Sequence, residues 1–112
     1  MTEPKDLPYT ITGRELVAKI DGMRVQVLTL ASGDTVPWHY HSAVHDIFVC
    51  IAGTTIVKTR GPSARHELAP GQHCVVMPNT EHEVSTIGRE GCKFTIVQGV
   101  GEHDYFEVAA TT

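Results

Sequence analysis

His39 and His41 stand two residues apart in Trp38-His39-Tyr40-His41, and a carboxylate, Asp46, follows five residues later. In an extended chain side chains alternate with period two, so both imidazoles project from one side. After a short connection Asp46, Phe48 and Cys50 can return to that side. Two imidazoles and a carboxylate on one interior face form a donor set for a divalent first-row metal. The spacing specifies a site and leaves the substrate open.

Such a site needs strands to hold it. Asp21-Gly22 is a strong hairpin signal, and Met23 to Leu30 after it is β-rich, with Met23, Val25 and Val27 on one face. Further β-rich runs cover Asp46 to Ile51, Thr54 to Arg60, His73 to Met77, His82 to Ile87, Lys93 to Val100 and Tyr105 to Val108. Tyr9 to Ile11 reads as a short strand, and Gly13 to Ile20 fits a strand or a helical turn. No stretch keeps helical periodicity over three turns. Short strands broken by turn residues at intervals of about eight to twelve predict an all-β sandwich or barrel. Residues 1–8, with Pro4 and Pro8 among charged residues, read as a loose arm, and residues 9–112 as a single domain.

The 112 residues carry a net charge of -4 without a Lys/Arg cluster, so nucleic acid is not an expected partner. No apolar run approaches the roughly 20 residues of a membrane span, and the N-terminus lacks a signal-peptide pattern. The default expectation is a cytoplasmic protein. Cys50, Cys74 and Cys92 show no C-x-x-C spacing and read as reduced thiols, the first two as small core residues. There is no phosphate loop, no G-x-S-x-G and no HExxH.

The pattern Gly33-x5-His39-x-His41-x4-Asp46-x6-Gly53 resembles the first signature of the cupin superfamily, with Asp where the family usually has Glu. Gly71-x5-Met77-Pro78-Asn79-x2-His82-x3-Thr86 is similar to the second, although Met77, Asn79 and Thr86 replace the preferred proline, glycine and asparagine. The resemblance spans roughly Gly22 to Val100. It implies a single-domain cupin: a double-stranded β-helix, or jelly-roll barrel, with one divalent metal (Fe, Mn, Ni or Zn) held by His39, His41, Asp46 and His82. It also implies a homodimer. The residues agree in that His82 begins a strand after a Pro-Asn turn. The runs Ile47-Phe48-Val49 and Val75-Val76-Met77 suit walls buried on both faces.

Aspartate is shorter than glutamate by a methylene, about 1.5 Å of reach, and metal–ligand distances tolerate only about 0.2 Å. Asp46 therefore needs a backbone shift or a bridging water to serve as a ligand. Otherwise the site is three histidines.

The remaining candidates are weaker. His45 has the parity of an outward residue, His66 and His73 flank a turn, and His103 reads as a loop residue with the pocket mouth as its alternative. Trp38 and Tyr40 alternate with the histidine pair and face away from it. Gln98 is the polar exception in an apolar strand and needs a buried partner, either structural or in a substrate. Arg24 and Gln26 share a face that reads as solvent-exposed, with a carboxylate clamp as the alternative.

The function expected from this set is a metal-dependent enzyme acting on a small oxygenated or acidic metabolite, dioxygenase-like in chemistry. Phe48, Met77, Phe94 and Gln98 would line its pocket. A metal-dependent isomerase or lyase of a keto or hydroxy acid is the alternative enzyme, and a non-catalytic small-ligand module the alternative outside enzymology.

Overall fold

The structure, a computed structural model, describes residues 9–109, so the arm expected over residues 1–8 lies outside the described residues. Ten strands are described: β1 (Gly13–Ile20), β2 (Met23–Leu30), β3 (Val36–Tyr40), β4 (His45–Gly53), β5 (Thr55–Thr59), β6 (Ala64–Leu68), β7 (His73–Val76), β8 (His82–Thr86), β9 (Cys92–Gly99) and β10 (Phe106–Glu107). They form two five-stranded antiparallel sheets, ordered β1-β2-β9-β4-β7 and β10-β3-β8-β5-β6. From β2 to β5 and again from β6 to β10 the chain changes sheet at every step, which makes the jelly roll a product of non-local pairing. No helix of the described residues is long and apolar enough to cross a membrane.

Local chemistry accounts for the turns. Asp21-Gly22 closes the β1–β2 hairpin between the paired residues Ile20 and Met23, and Gly22 takes φ +76°. That hairpin draws Gly13–Ile20 into a strand and removes the helical alternative. Gly53 and Gly91 are required for a stricter reason. Each has positive φ, and an added Cβ would sit 2.0 Å from the Gly91 carbonyl oxygen or 2.1 Å from that of Leu30.

The inward face of the first sheet is graded by register. Arg24, Gln98, Asp46 and Val76 form one cross-strand row; Gln26, Ile96, Phe48 and Cys74 form the next; Leu28, Phe94 and Cys50 follow. The row nearest the barrel mouth is polar and the deeper ones become apolar. Phe48 and Phe94, both essentially inaccessible, pack with ring centroids 5.7 Å apart, a contact worth about 0.5–1.5 kcal/mol beyond its buried area. The three cysteines are free and buried.

Three expectations are corrected. Tyr9 to Ile11 is not a strand, although Tyr9 and Ile11 pack against the core. The last strand is only Phe106–Glu107. The Val75-Val76-Met77 run is buried on one face rather than both, because Val76 takes the inward position and period two turns its neighbours out: Val75 is 49% and Met77 56% exposed.

Candidate metal centre

Four buried residues meet at the polar end of the barrel. His39 on β3 lies directly across from His82 on β8, with ring centroids 4.2 Å apart. His41 follows the end of β3, and Asp46 is the second residue of β4. The link between them is tied down by Asp104, whose carboxylate accepts from the Ser42 amide at 2.8 Å and from the Ser42 hydroxyl. The buried Val44 anchors the same link. On the other side, the Asn79 amide donates to the His41 carbonyl at 2.7 Å, and Asn79 adopts φ +63°. Asparagine tolerates that left-handed conformation better than most residues, which explains how it replaces glycine in the turn leading to His82.

The histidines share one hydrogen-bonding arrangement. Nδ1 of His39 bonds the Pro37 carbonyl at 2.6 Å, Nδ1 of His82 the Thr80 carbonyl at 2.8 Å, and Nδ1 of His41 the Asp104 carbonyl at 2.5 Å. A carbonyl only accepts, so each Nδ1 carries the hydrogen and each neutral ring keeps its lone pair on Nε2. The Nε2 atoms of His41 and His82 both stand 3.0 Å from Asp46 Oδ2. His41 Nε2 has no partner in hydrogen-bonding geometry among the described residues. Lone pairs and a carboxylate oxygen at that separation repel unless a cation sits among them. One donor atom from each of His39, His41, Asp46 and His82 lies within 4.8 Å of every other, a span close to the roughly 4 Å diameter of a first-row coordination sphere. The donor set, the tautomers and the orphaned nitrogen all fit a divalent ion.

Without an ion, protons carry the compensation. Burial opposes ionisation of Asp46, but the His41 and His82 imidazoles that face its carboxylate overcome it and hold the carboxyl below the usual range. Burial likewise opposes protonation of His41, and the neighbouring Asp46 carboxylate outweighs it, so its pKa rises above 6.5. His39 goes the other way: burial, then charge on His82, pushes it down to about 3.

The histidine–carboxylate group opens into a cavity with an inner volume of about 30 Å³, room for about two waters. Of the four residues the sequence points to for a pocket, Phe48, Phe94 and Gln98 line this cavity; Met77 does not, since it points outward just past β7. Gln98 Nε2 donates to Asp46 Oδ1 at 3.1 Å, and Gln98 Oε1 accepts from Arg24 Nε and Nη2 at 3.2 and 2.8 Å.

Arg24 and Gln26, read from the sequence as a solvent face, point inward and line the cavity. Their parity was legible, but which face of β2 turns inward was set by its pairing with β9. His103 also lines the cavity rather than an open loop, with its ring 4.9 Å from that of His41. Burial, then the Arg24 charge, lowers its pKa to about 4. Arg14 and Tyr105 were not singled out from the sequence; both line the cavity, Tyr105 stacking on His39 at 4.6 Å. Outside the cavity, the guanidinium of Arg60 sits 3.9 Å above the Trp38 ring, and Tyr40 stacks on Phe106. His45 is half-buried at the start of β4, His66 is half-buried and His73 exposed, none of them among the cavity's lining residues.

Solved structures of similar fold include an uncharacterised conserved protein with a double-stranded β-helix domain from Klebsiella pneumoniae, at 19% identity and TM-score 0.71, covering 86% of this chain and 84% of that one. KdgF from a Halomonas species matches at 19% identity and TM-score 0.67, with 80% of each chain covered. An oxalate oxidase in complex with glycolate matches at 15% identity and TM-score 0.70; 77% of this chain is covered, and it spans 46% of that enzyme's length. No curated protein matches the chain in sequence. The sequence profile of the cupin domain matches residues 26–98, a stretch that holds the three histidines, Asp46 and Gln98: the chain belongs to the cupin family.

Proposed function

We propose that this protein is a metal-dependent enzyme that converts a small oxygenated or acidic metabolite, with dioxygenase-like chemistry. One observation carries the reading: three histidines committed through Nδ1 to backbone carbonyls, and a buried carboxylate, bring their remaining donors within 4.8 Å of one another at the wall of a cavity. His39, His41 and His82 would hold the ion through Nε2 and Asp46 through Oδ2. An ion bound there supplies Lewis acidity toward a substrate oxygen and, for iron or manganese, redox chemistry with dioxygen. The residues around it do the rest. Gln98 ties Asp46 Oδ1 and leaves Oδ2 for the ion. Phe48 and Phe94 exclude water from the inner wall. His103, neutral at pH 7 because burial and the Arg24 charge lower its pKa to about 4, closes the cavity beside His41 with an uncharged ring. The similar fold of an oxalate oxidase seen with glycolate supports a small acid as ligand.

The test is metal content by mass spectrometry on untagged protein, with His82→Ala alongside, followed by oxygen-uptake measurements with small acids. About one ion per chain, lost in His82→Ala, and oxygen uptake with one of the acids are expected. Anaerobic turnover would move the reading to an isomerase or lyase. Ligand binding without turnover would leave a binding module, and absence of metal after reconstitution would overturn the metalloenzyme.

The outer face of the first sheet supports a homodimer. Val75, Ile47, Val97 and Val25 form a cross-strand row on that face, and Val75 is 49% exposed.

A further inference from the structure

Gln26 is 1% exposed, lines the cavity, and its Nε2 meets no hydrogen-bond partner among the described residues. The orientation of its amide is not free. Arg14 Nη1 donates to Gln26 Oε1 at 3.1 Å, and Arg14 Nη2 donates to the Tyr9 hydroxyl at 2.9 Å. A guanidinium has no acceptor, so the oxygen of the amide must face Arg14 and the NH2 must face elsewhere. A buried amide NH2 without acceptors is costly and uncommon in a folded protein. Its neighbours on β2 and β1 also bear on what would satisfy it: Arg14 and Arg24 both line the cavity, and Gln98 stands between Arg24 and Asp46. Acceptor oxygens with negative charge complement two guanidinium groups and an unmatched NH2. A neutral or cationic ligand does not.

We propose that Gln26 Nε2 is the recognition donor for the oxygen of a small carboxylic acid, with Arg14 and Tyr9 as positioning residues that hold the amide toward the ligand. The inference deepens the reading of this cavity as the substrate site and rests on it. The inner volume matches a carboxylate group rather than a whole acid, so the rest of a short acid extends toward the outer pocket. Entry has a defined side: an outer pocket lined by Lys19, Met23 and Glu102 shares Arg24, Gln98 and His103 with the inner cavity. An acid arriving there meets Arg24 first and Gln26 beyond it.

The experiment is calorimetric titration of acetate, glycolate and pyruvate, with neutral glycolamide as control, into metal-free and manganese-loaded protein. Gln26→Glu keeps the acceptor for Arg14 and replaces the donor with a repelling oxygen; Gln26→Met removes the donor without charge. At least one acid should bind wild type more tightly than glycolamide, and both variants should lose about tenfold or more of that affinity, with metal content and melting temperature retained. In wild-type protein the Gln26 side-chain NH2 resonances should shift on addition of that acid, a readout that needs no variant to fold. Unchanged affinity in the variants, NH2 resonances that stay put, equal binding of glycolamide, or binding of none of the acids would each overturn the proposal. Metal without acid binding defeats this inference alone; Gln26-dependent acid binding in a protein that takes up no metal defeats the metalloenzyme and leaves the inference standing.

Discussion

Gln98 Nε2 donates to Asp46 Oδ1 across 3.1 Å, between residues that are direct partners in the β9–β4 register. The opposite end of the same amide is held by Arg24, so neither the amide nor the carboxylate can turn independently. One oxygen of Asp46 is thereby occupied and the other faces the histidines. Outer partners of this kind typically contribute about 10–100-fold to metal affinity. Gln98→Leu is expected to lower affinity by that amount while leaving the three histidines in place. Competition with a fluorescent chelator measures it; unchanged affinity would remove Gln98 from the centre.

Proton linkage gives the metal-free protein an acid limb. His39 and His103 have folded pKa values lowered to about 3 and about 4, so their contribution is present above the unfolded value near 6.5 and is lost as pH falls toward those values. Asp46, also lowered, contributes above 3.8 and loses that only under stronger acid. His41 is raised, so its contribution is present below 6.5 and fades as pH climbs through its folded value. Melting temperature should therefore decline from pH 6.5 to 4, and His103→Gln should flatten that decline. Thermal melts across this range check it.

Bound metal should sharpen the same dependence, because the ligating histidines must be deprotonated. Acidification should release the ion as His41 takes up its proton. Metal retention after dialysis at stepped pH gives the midpoint, and retention independent of pH down to 4 would contradict ligation by His41.

Three glycines with positive φ separate backbone strain from steric exclusion. Around Gly33 an added Cβ meets nothing within 4 Å, so Gly33→Ala should cost only the left-handed conformation, about 1–2 kcal/mol. At Gly53 and Gly91 the Cβ would overlap a backbone carbonyl at 2.0 and 2.1 Å. Losses above about 4 kcal/mol are expected at both. Urea unfolding of the three variants ranks them.

The proposed dimer face is testable by a single charge. Val75→Asp places a carboxylate in the outward row of Val75, Ile47, Val97 and Val25 without entering the core. Light scattering should show a dimer for wild type and a monomer for the variant, at similar melting temperature. A wild-type monomer at high concentration would remove the interface.

Much of the site was legible in the chain because its spacing is local. His39 and His41 lie on one short strand, where period two alone puts both rings on the same side, and the turn at Pro78-Asn79 marks the entry of His82. The alternation of β4 likewise brings Asp46 and Phe48 to one face. What alternation cannot state is which face is inside. Arg24 and Gln26 look like a solvent stripe beside Val25 and Val27, yet the polar pair turns inward and the valines outward. Val75-Val76-Met77 offers three apolar residues, of which only Val76 is kept inside.

The sequence by itself therefore determined the all-β character, the turns, the donor types and the shared faces, since these depend on residues a few positions apart. The tertiary structure decided the sidedness of β2, the outward turn of Met77, the inward placement of His103 and the Arg24–Gln98–Asp46 row. Arg24 and Gln98 are 74 residues apart in the chain, and only the pairing of β2 with β9 and of β9 with β4 brings the three side chains into line. Pairing of distant strands fixes the register, and a shift by one residue would turn every one of these side chains to the opposite face.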